Sequence, residues 1–301
     1  MTGAAIQSPP SALADATRLG SLLGVPAHEI VVHRFPDGEL RVTVGPAAAT
    51  TILYVPLDQP NNKLLTILFA AEALRREGAR RLVLVAPYLC YMRQDAAFHQ
   101  GEAISQKVVG RLIAASVDRV ITVDAHLHRT KTIAEVFPGI EADDLSAMPA
   151  IAGYLRATGF APATVVVGPD AESEPWVGDL AHRLGLAHAV ARKTRRSDRS
   201  VEVVFAEPKL FAGRPTLLVD DIVSSGGTLI TCAQALVAAG ASSVDAIVTH
   251  ALFPPELTRE FLRAGLRSIR STNSVPHSSN AIALDAVLAD ALRRELAGAA
   301  P

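Results

Sequence analysis

The chain has 301 residues, 49% of them hydrophobic and 20% charged, with a formal net charge of -1. That length predicts two domains of about 150 residues each, and the balanced charge argues against a general nucleic-acid binder, which shows a basic excess. Cys90 and Cys232 form no CxxC pair, the opening residues lack the order of a signal peptide, and no apolar run approaches a bilayer span, so a soluble, cytoplasmic protein without a disulfide framework or zinc ribbon is expected.

Ser8-Pro9-Pro10 interrupts any strand at the amino end. In residues 31–44, two alternating runs flank Pro36-Asp37-Gly38, a turn sequence, so a hairpin is predicted. Runs rich in Val, Ile and Leu then predict buried strands at 51–55, 81–86, 119–123, 164–167, 216–219 and 244–249. Between them the apolar spacing is helical, as in Leu229, Ala233, Leu236 and Val237, with Gly240 placed to end that helix. Strand–helix alternation with nearly continuous apolar strands predicts α/β domains, each a mostly parallel sheet flanked by helices. The expected boundaries are 1–145 and 146–301.

The halves read as copies. A shift of 162 residues sets Asp58 on Asp220, Thr66 on Thr228, Ala71 on Ala233, Leu74 on Leu236 and Gly78-Ala79 on Gly240-Ala241. Such a faint repeat can arise between any two βαβ units, but the matched punctuation favours duplication. Where the second half has Ser224-Ser225-Gly226-Gly227, the first has Asn62-Lys63-Leu64-Leu65. Without glycines the first copy cannot wrap backbone N–H groups around a phosphate, so one acceptor site is expected.

That site is the stretch Asp220-Asp221-Ile222-Val223-Ser224-Ser225-Gly226-Gly227-Thr228. A strand-to-helix loop with two glycines and three hydroxyls suits a phosphate monoester at a helix N-terminus. It is no Walker loop, because no Gly-Lys-Ser/Thr follows. The two carboxylates repel a phosphate and therefore serve sugar hydroxyls or a metal. The plain alternative is a turn in which Asp and Ser cap the helix.

This stretch resembles the phosphoribosyl diphosphate (PRPP) loop of the type I phosphoribosyltransferase fold. Three more blocks narrow the resemblance to the ribose-phosphate diphosphokinase family, also called PRPP synthetases. They are Arg34-Phe35-Pro36-Asp37-Gly38-Glu39, Pro87-Tyr88-Leu89-Cys90-Tyr91-Met92-Arg93-Gln94-Asp95 and Asp124-Ala125-His126, and the match runs from about 31 to 285. The resemblance implies a duplicated phosphoribosyltransferase-like fold in which Asp220 and Asp221 meet the ribose, and Ser224, Ser225, Gly226, Gly227 and Thr228 surround its 5-phosphate.

The resemblance likewise assigns Phe35, Asp37, Gly38 and Glu39 to ATP, with Phe35 stacking on adenine; a surface turn with a packed Phe is the alternative. Arg93, Gln94 and Asp95 follow a strand, where α/β sheets place ligands, and Arg93 suits polyphosphate. The alternative there is an Arg93–Asp95 ion pair. Strand alternation is expected to put Asp124, His126 and His128 on one side. Clustered histidines raise zinc, but no further ligand lies at a zinc-site spacing. The family instead implies Mg2+ as cofactor, held through His126 and Asp170, although that ion prefers oxygen and partial or water-bridged coordination fits a histidine better. His128 carries no family role and is read as a packing or interface residue.

Arg192-Lys193-Thr194-Arg195-Arg196-Ser197-Asp198-Arg199 is the densest basic run, by default a solvated face. The resemblance makes it a catalytic loop in which Lys193 and Arg195 close on the transferring group, with Arg195 also near ribose 5-phosphate. The implied reaction joins ATP and ribose 5-phosphate into PRPP and AMP, in a protein with no membrane partner and a homo-oligomeric assembly. Departures are Ser224, where the commonest family form has Asp, the stretch Leu127-His128-Arg129, and Ala171-Glu172-Ser173 in place of a glycine-rich turn. Two rivals are a phosphoribosyltransferase that consumes PRPP and a non-catalytic regulatory homologue. The nucleotide residues of the first half argue against the former, and the retained Lys193, Arg195, Asp220 and His126 against the latter.

Overall fold

The structure is a computed structural model that describes residues 3–197 and 200–297, with the backbone alone at 193–197, 200–202 and 297. The elements run β1 (Ala4–Ser8), α1 (Leu13–Leu23), β2 (Ala27–Glu29), β3 (Val31–Arg34), β4 (Leu40–Thr43), β5 (Thr50–Tyr54), α2 (Pro60–Arg76), β6 (Arg81–Ala86), α3 (Ser105–Ala114), β7 (Arg119–Val123) and β8 (Glu141–Leu145). There follow α4 (Met148–Thr158), β9 (Val165–Gly168), α5 (Glu174–Leu184), β10 (Ala187–Val190), β11 (Arg192–Ser197), β12 (Ser200–Val204), β13 (Pro215–Val223), α6 (Gly227–Ala238), β14 (Ser243–Ala251), α7 (Thr258–Arg263), β15 (Leu266–Thr272), β16 (Asn280–Ile282) and α8 (Asp285–Ala297).

Two compact units result. One holds residues 1–145, 274–276 and 284–301; the other holds 146–273 and 277–283. Each is built on a parallel six-stranded sheet, in the order β2-β1-β5-β6-β7-β8 in the first and β10-β9-β13-β14-β15-β16 in the second. The same order twice is the architecture expected of a duplicated α/β unit. It follows from strands that are apolar on both faces: β5, β7 and β9 are buried throughout and need helices on each side. In the first unit Leu64, Ile67, Ala71 and Leu74 of α2 pack in one cluster with Leu53, Leu84 and Val120. In the second, Leu229, Cys232, Ala233 and Leu236 of α6 pack with Leu218, Ala246 and Val248.

Three differences from the sequence reading have physical causes. β1 forms and is fully buried, with Pro9 and Pro10 after it; Pro10 opens a 3-10 turn, a position where its missing N–H costs nothing. The strands read at 216–219 and 244–249 run on to Val223 and Ala251. The helix α8, placed in the second domain by sequence order, belongs to the first unit. Arg81 Nε donates to Glu295 Oε2 (2.6 Å) and Arg119 Nη1 to Glu295 Oε1 (2.8 Å), while Arg18 Nε donates to Asp285 (3.0 Å). Among the described residues, no helix is long and apolar enough to cross a membrane.

Candidate active site

In the second unit, β9 and β13 are parallel neighbours, with Val167 opposite Leu218, so their carboxyl ends lie side by side. Asp170 follows β9, and Asp220 and Asp221 lie on the extended end of β13. Burial, then the charges of Asp221 and Asp170, hold the Asp220 carboxyl well above its ordinary range. Asp221 is itself buried, and its Oδ1 accepts from the Ile222 N–H (2.7 Å), so much of its capacity fixes the strand end. Such a cluster is most stable with a cation or hydroxyl donors beside it.

The chain then turns through Ser224, Ser225 and Gly226 into α6. Gly226 has φ of 75°, and a Cβ there would lie 2.6 Å from both Leu257 and Phe261, so the close turn requires glycine. The N–H groups of the first helical turn have no intrahelical acceptor and carry the positive end of the helix dipole. Ser225 and Gly227 are exposed and Ser224 and Thr228 half-buried, which places donors around that terminus. At the β9 end, a Cβ on Gly168 would sit 1.9 Å from Ser173 Oγ. Ala171–Ser173 forms a short 3-10 turn in which Ser173 Oγ donates to the Asp170 carbonyl (2.5 Å), so the bulky departure still makes a tight turn.

Lys193 and Arg195 fall on the backbone of an antiparallel hairpin, opposite Val203 and Val201, with an irregularity between Arg195 and Ser197. Their side chains, and all of Asp198 and Arg199, lie outside the described residues.

In the first unit, β3 and β4 form the expected hairpin, Arg34 pairing with Leu40. Phe35 N–H donates to Glu39 O (2.8 Å), Gly38 N–H to Phe35 O (2.9 Å), and Asp37 Oδ1 accepts from Glu39 N–H (3.1 Å). Gly38 supplies the φ of 96° that the turn needs. Phe35 is 37% exposed, with His33 edge-on at 4.7 Å and the Arg41 guanidinium 5.9 Å from its ring centre.

The remaining nucleotide-side residues gather around the loop after β7. Arg93 is exposed, and Gln94 Oε1 accepts from Ser105 (2.8 Å). Asp95 accepts from the Arg129 N–H (3.1 Å) and Nη1 (2.8 Å), so its ion pair is with Arg129. Burial pushes that carboxyl up, but these bonds hold it below the usual range. β7 stops at Val123, and Asp124 and His126 take left-handed φ of 42° and 54°, so the expected alternation does not continue. His126 and His128 still meet, through their Nε2 atoms, with ring centres 4.0 Å apart at 82°.

Three residues pin this loop: Asp144 and Gln106, which the sequence reading passed over, and Arg129, which it noted only as a departure. Asp144 Oδ1 accepts from Ala125 N–H (2.9 Å), Gln106 Oε1 accepts from Thr130 Oγ1 (2.8 Å), and Arg129 makes the bonds to Asp95. Burial pushes Asp144 up to about 6. Asp144 is brought to the loop by β8, which pairs with β7 at Val123 and Leu145. Among the described residues no group of three or more His, Cys, Asp or Glu side chains is arranged to hold a metal.

Known proteins match this chain. The family model for the N-terminal domain of ribose phosphate pyrophosphokinase matches residues 10–116, and that for the phosphoribosyl transferase domain matches 149–263. A ribose-phosphate pyrophosphokinase of Methanopyrus kandleri is 31% identical, over 91% of this chain and 94% of its own. One from Bradyrhizobium diazoefficiens is 34% identical, over 88% of this chain and 82% of its own. The crystal structure of a phosphoribosylpyrophosphate synthetase from Mycobacterium smegmatis superposes with a TM-score of 0.84 at 24% identity, covering 98% of this chain and 99% of that one, which shows the fold.

Proposed function

The chain belongs to the ribose-phosphate pyrophosphokinase family, and we propose that it transfers the diphosphoryl group of Mg-ATP to the 1-hydroxyl of ribose 5-phosphate, giving PRPP and AMP. The observation that carries this reading is the glycine turn at the start of α6 beside the half-buried Asp220, which suit a phosphate and a sugar hydroxyl on one strand end. Ser224 to Thr228 hold the 5-phosphate. Ribose hydroxyls donate to Asp220, and those bonds stabilise its ionised form.

The anomeric oxygen attacks the β-phosphorus, its proton leaves, and the bond from that phosphorus to the α,β-bridging oxygen breaks, so AMP departs with the oxygen. Alignment and charge neutralisation supply the rate. By the family motif Asp170, with oxygen donors that suit Mg2+, and His126 are the residues that would offer ligands to Mg2+, and the ion when bound would neutralise charge on the polyphosphate. Lys193 and Arg195, placed by the family motif, neutralise the charge that moves from ATP to ribose. Phe35 stacks on the adenine, the hairpin turn of Asp37, Gly38 and Glu39 receives its amino group, and Arg93, with Gln94 and Asp95 beside it, meets the phosphates. The exposed Val31 and Val32 of the hairpin support a homo-oligomer in which these strands are covered.

The deciding assay mixes ATP, Mg2+ and ribose 5-phosphate and measures AMP and PRPP. Equimolar formation of the two is expected. Product only from PRPP plus a base would favour the transferase reading, and binding without turnover a regulatory protein.

A further inference from the structure

Behind the turn into α6 lies a packed column of rings that ends on His277, a half-buried residue with no part in the proposed reaction. We infer that His277 is a positioning residue for the turn at residues 224–226, acting through Phe253, and that it thereby tunes the hold on ribose 5-phosphate. The second half of this inference rests on the proposed function, which assigns the 5-phosphate to that turn.

Hydrogen bonds hold His277 in one tautomer. Its Nε2 lies 2.9 Å from the Phe253 carbonyl oxygen, which can only accept, so Nε2 carries the proton. Nδ1 is then an acceptor, taking the Ser279 N–H (3.1 Å) and the Ser279 hydroxyl (2.7 Å). Ser279 is anchored in turn near the end of β15. Its carbonyl accepts from the Ser271 N–H (2.9 Å), and its Oγ lies 2.7 Å from Ser271 Oγ. A histidine that only closed its own turn would need the Nδ1 contacts alone. The Nε2 bond reaches a different element.

Phe253 passes this hold to both ends of the phosphate turn. The His277 and Phe253 rings meet at 4.4 Å and 62°, and Phe253 meets Phe261 of α7 edge-on at 5.1 Å. Phe261 is fully buried and stands against Gly226, where a Cβ would lie 2.6 Å from its ring. On the other side, the N–H of Leu252, the neighbour of Phe253 in the chain, donates to the Val223 carbonyl (2.8 Å). Ser224 and Ser225 therefore hang between two points, Val223 and Gly226, that share one support. A close-packed interior leaves such rings no void to move into, so a shift at Phe253 is felt at the turn. All of these residues belong to the second unit.

The test compares three full-length variants. His277→Asn puts an amide oxygen near the place of Nδ1, keeping the Ser279 contacts and losing those to Phe253. His277→Gln carries an amide N–H towards the place of Nε2 and keeps the Phe253 bond. His277→Ala keeps neither. In calorimetric titrations, ribose 5-phosphate affinity should fall about tenfold in His277→Ala and His277→Asn and stay within about threefold of wild type in His277→Gln. ATP affinity should hold within about twofold in all three, which a general loss of stability would not give. Wild-type ribose 5-phosphate affinity in His277→Asn, or equal losses for both ligands, would overturn the inference. Amide NMR of glycine-labelled protein reads the turn with no ligand present. The Gly226 and Gly227 signals should move in His277→Asn and return towards wild type in His277→Gln. Unmoved signals overturn the inference whatever binds. Moved signals in a protein whose wild type takes no ribose 5-phosphate support the positioning role and sink the proposed function instead.

Discussion

The loops β5–α2 and β13–α6 are equivalent elements in two copies, and only the second carries the glycine turn that the proposed function assigns to a phosphate. At the shift of 162, Asp58 corresponds to Asp220 and Lys63 to Ser225. In the first copy, α2 starts at Pro60, which lacks an N–H, and Lys63 Nζ donates to Asp58 Oδ1 (2.6 Å) and to Pro56 O (2.9 Å). The acidic residue is satisfied from within. In the second copy β13 extends to Val223 and the helix waits until Gly227, which corresponds to position 65, five residues after Pro60. The delay, the two glycines and the absent lysine convert a self-satisfied turn into an open one. The two copies therefore differ in the turn rather than in the scaffold, and on the proposed function that turn is what makes the second copy the phosphate site.

The largest expected effect tests whether the second copy is catalytic at all. Lys193→Ala should lower kcat by about 10²–10³-fold, the scale for removing one donor to transition-state charge. KM for ATP and ribose 5-phosphate should stay within about threefold, since uniform binding is untouched. Steady-state assays of AMP release measure both, and unchanged turnover would remove Lys193 from the mechanism.

Next comes a swap that breaks the comparison directly. Ser225→Lys gives the second loop the lysine of the first, and that ammonium can pair with the Asp220-Asp221 end as Lys63 pairs with Asp58. Ribose 5-phosphate affinity should fall by about 10- to 100-fold, as expected when charge-assisted hydrogen bonds are lost. ATP affinity should hold. Calorimetric titration with ribose 5-phosphate alone decides it: tighter binding would show that the added charge assists the phosphate and that the two loops are not equivalent.

How far the sequence discloses this depends on how local each signal is. The apolar strands β6 and β7 and the hairpin turn at Gly38 are set by neighbours in sequence, and their ends are legible to the residue. The edge strands β2, β8, β10 and β16 are half exposed or short and carry no apolar run. The placement of α8 depends on Glu295, a residue whose partners Arg81 and Arg119 lie 214 and 176 positions away. Spacing has no access to such pairings. In the site, Asp220 and the glycine turn were visible as a motif, while Asp144, Gln106 and Arg129 act through bonds that no pattern announces.

The ion cluster at Glu295 supplies a second contrast. In the first unit, its side chain is 7% exposed and Arg119's 5%, at the starts of β6 and β7. In the second, Arg267 pairs with Asp245 beside an open cavity of about 360 Å³ lined also by Tyr154 and Phe160. Hydrogen bonds from Arg81 oppose the effect of burial and hold the Glu295 carboxyl below its ordinary value. A depressed carboxylate stabilises the fold above its unfolded pKa and loses that stabilisation as pH falls through the folded value. The first unit should therefore weaken below about pH 4, and Glu295→Gln should lower neutral-pH stability by about 1–3 kcal/mol while flattening the acid limb. Thermal melts of both proteins across pH check the slope. An identical acid limb would detach the cluster from stability.

The smallest effect returns to the first loop. Lys63 and Asp58 are only partly shielded, with 21% and 26% of their side chains exposed, so Lys63→Ala should cost at most about 1 kcal/mol. Its importance is in what it should fail to do. Removing the lysine frees Asp58 but adds neither glycines nor a delayed helix, and Pro60 still withholds an N–H from the helix start. Binding of ribose 5-phosphate should stay at one per chain, with PRPP synthesis within about twofold of wild type. A second equivalent of ribose 5-phosphate bound by Lys63→Ala would mean that the lysine alone keeps the first copy closed. The timing of the helix and the glycines would then be incidental, and charge would be the difference between the copies.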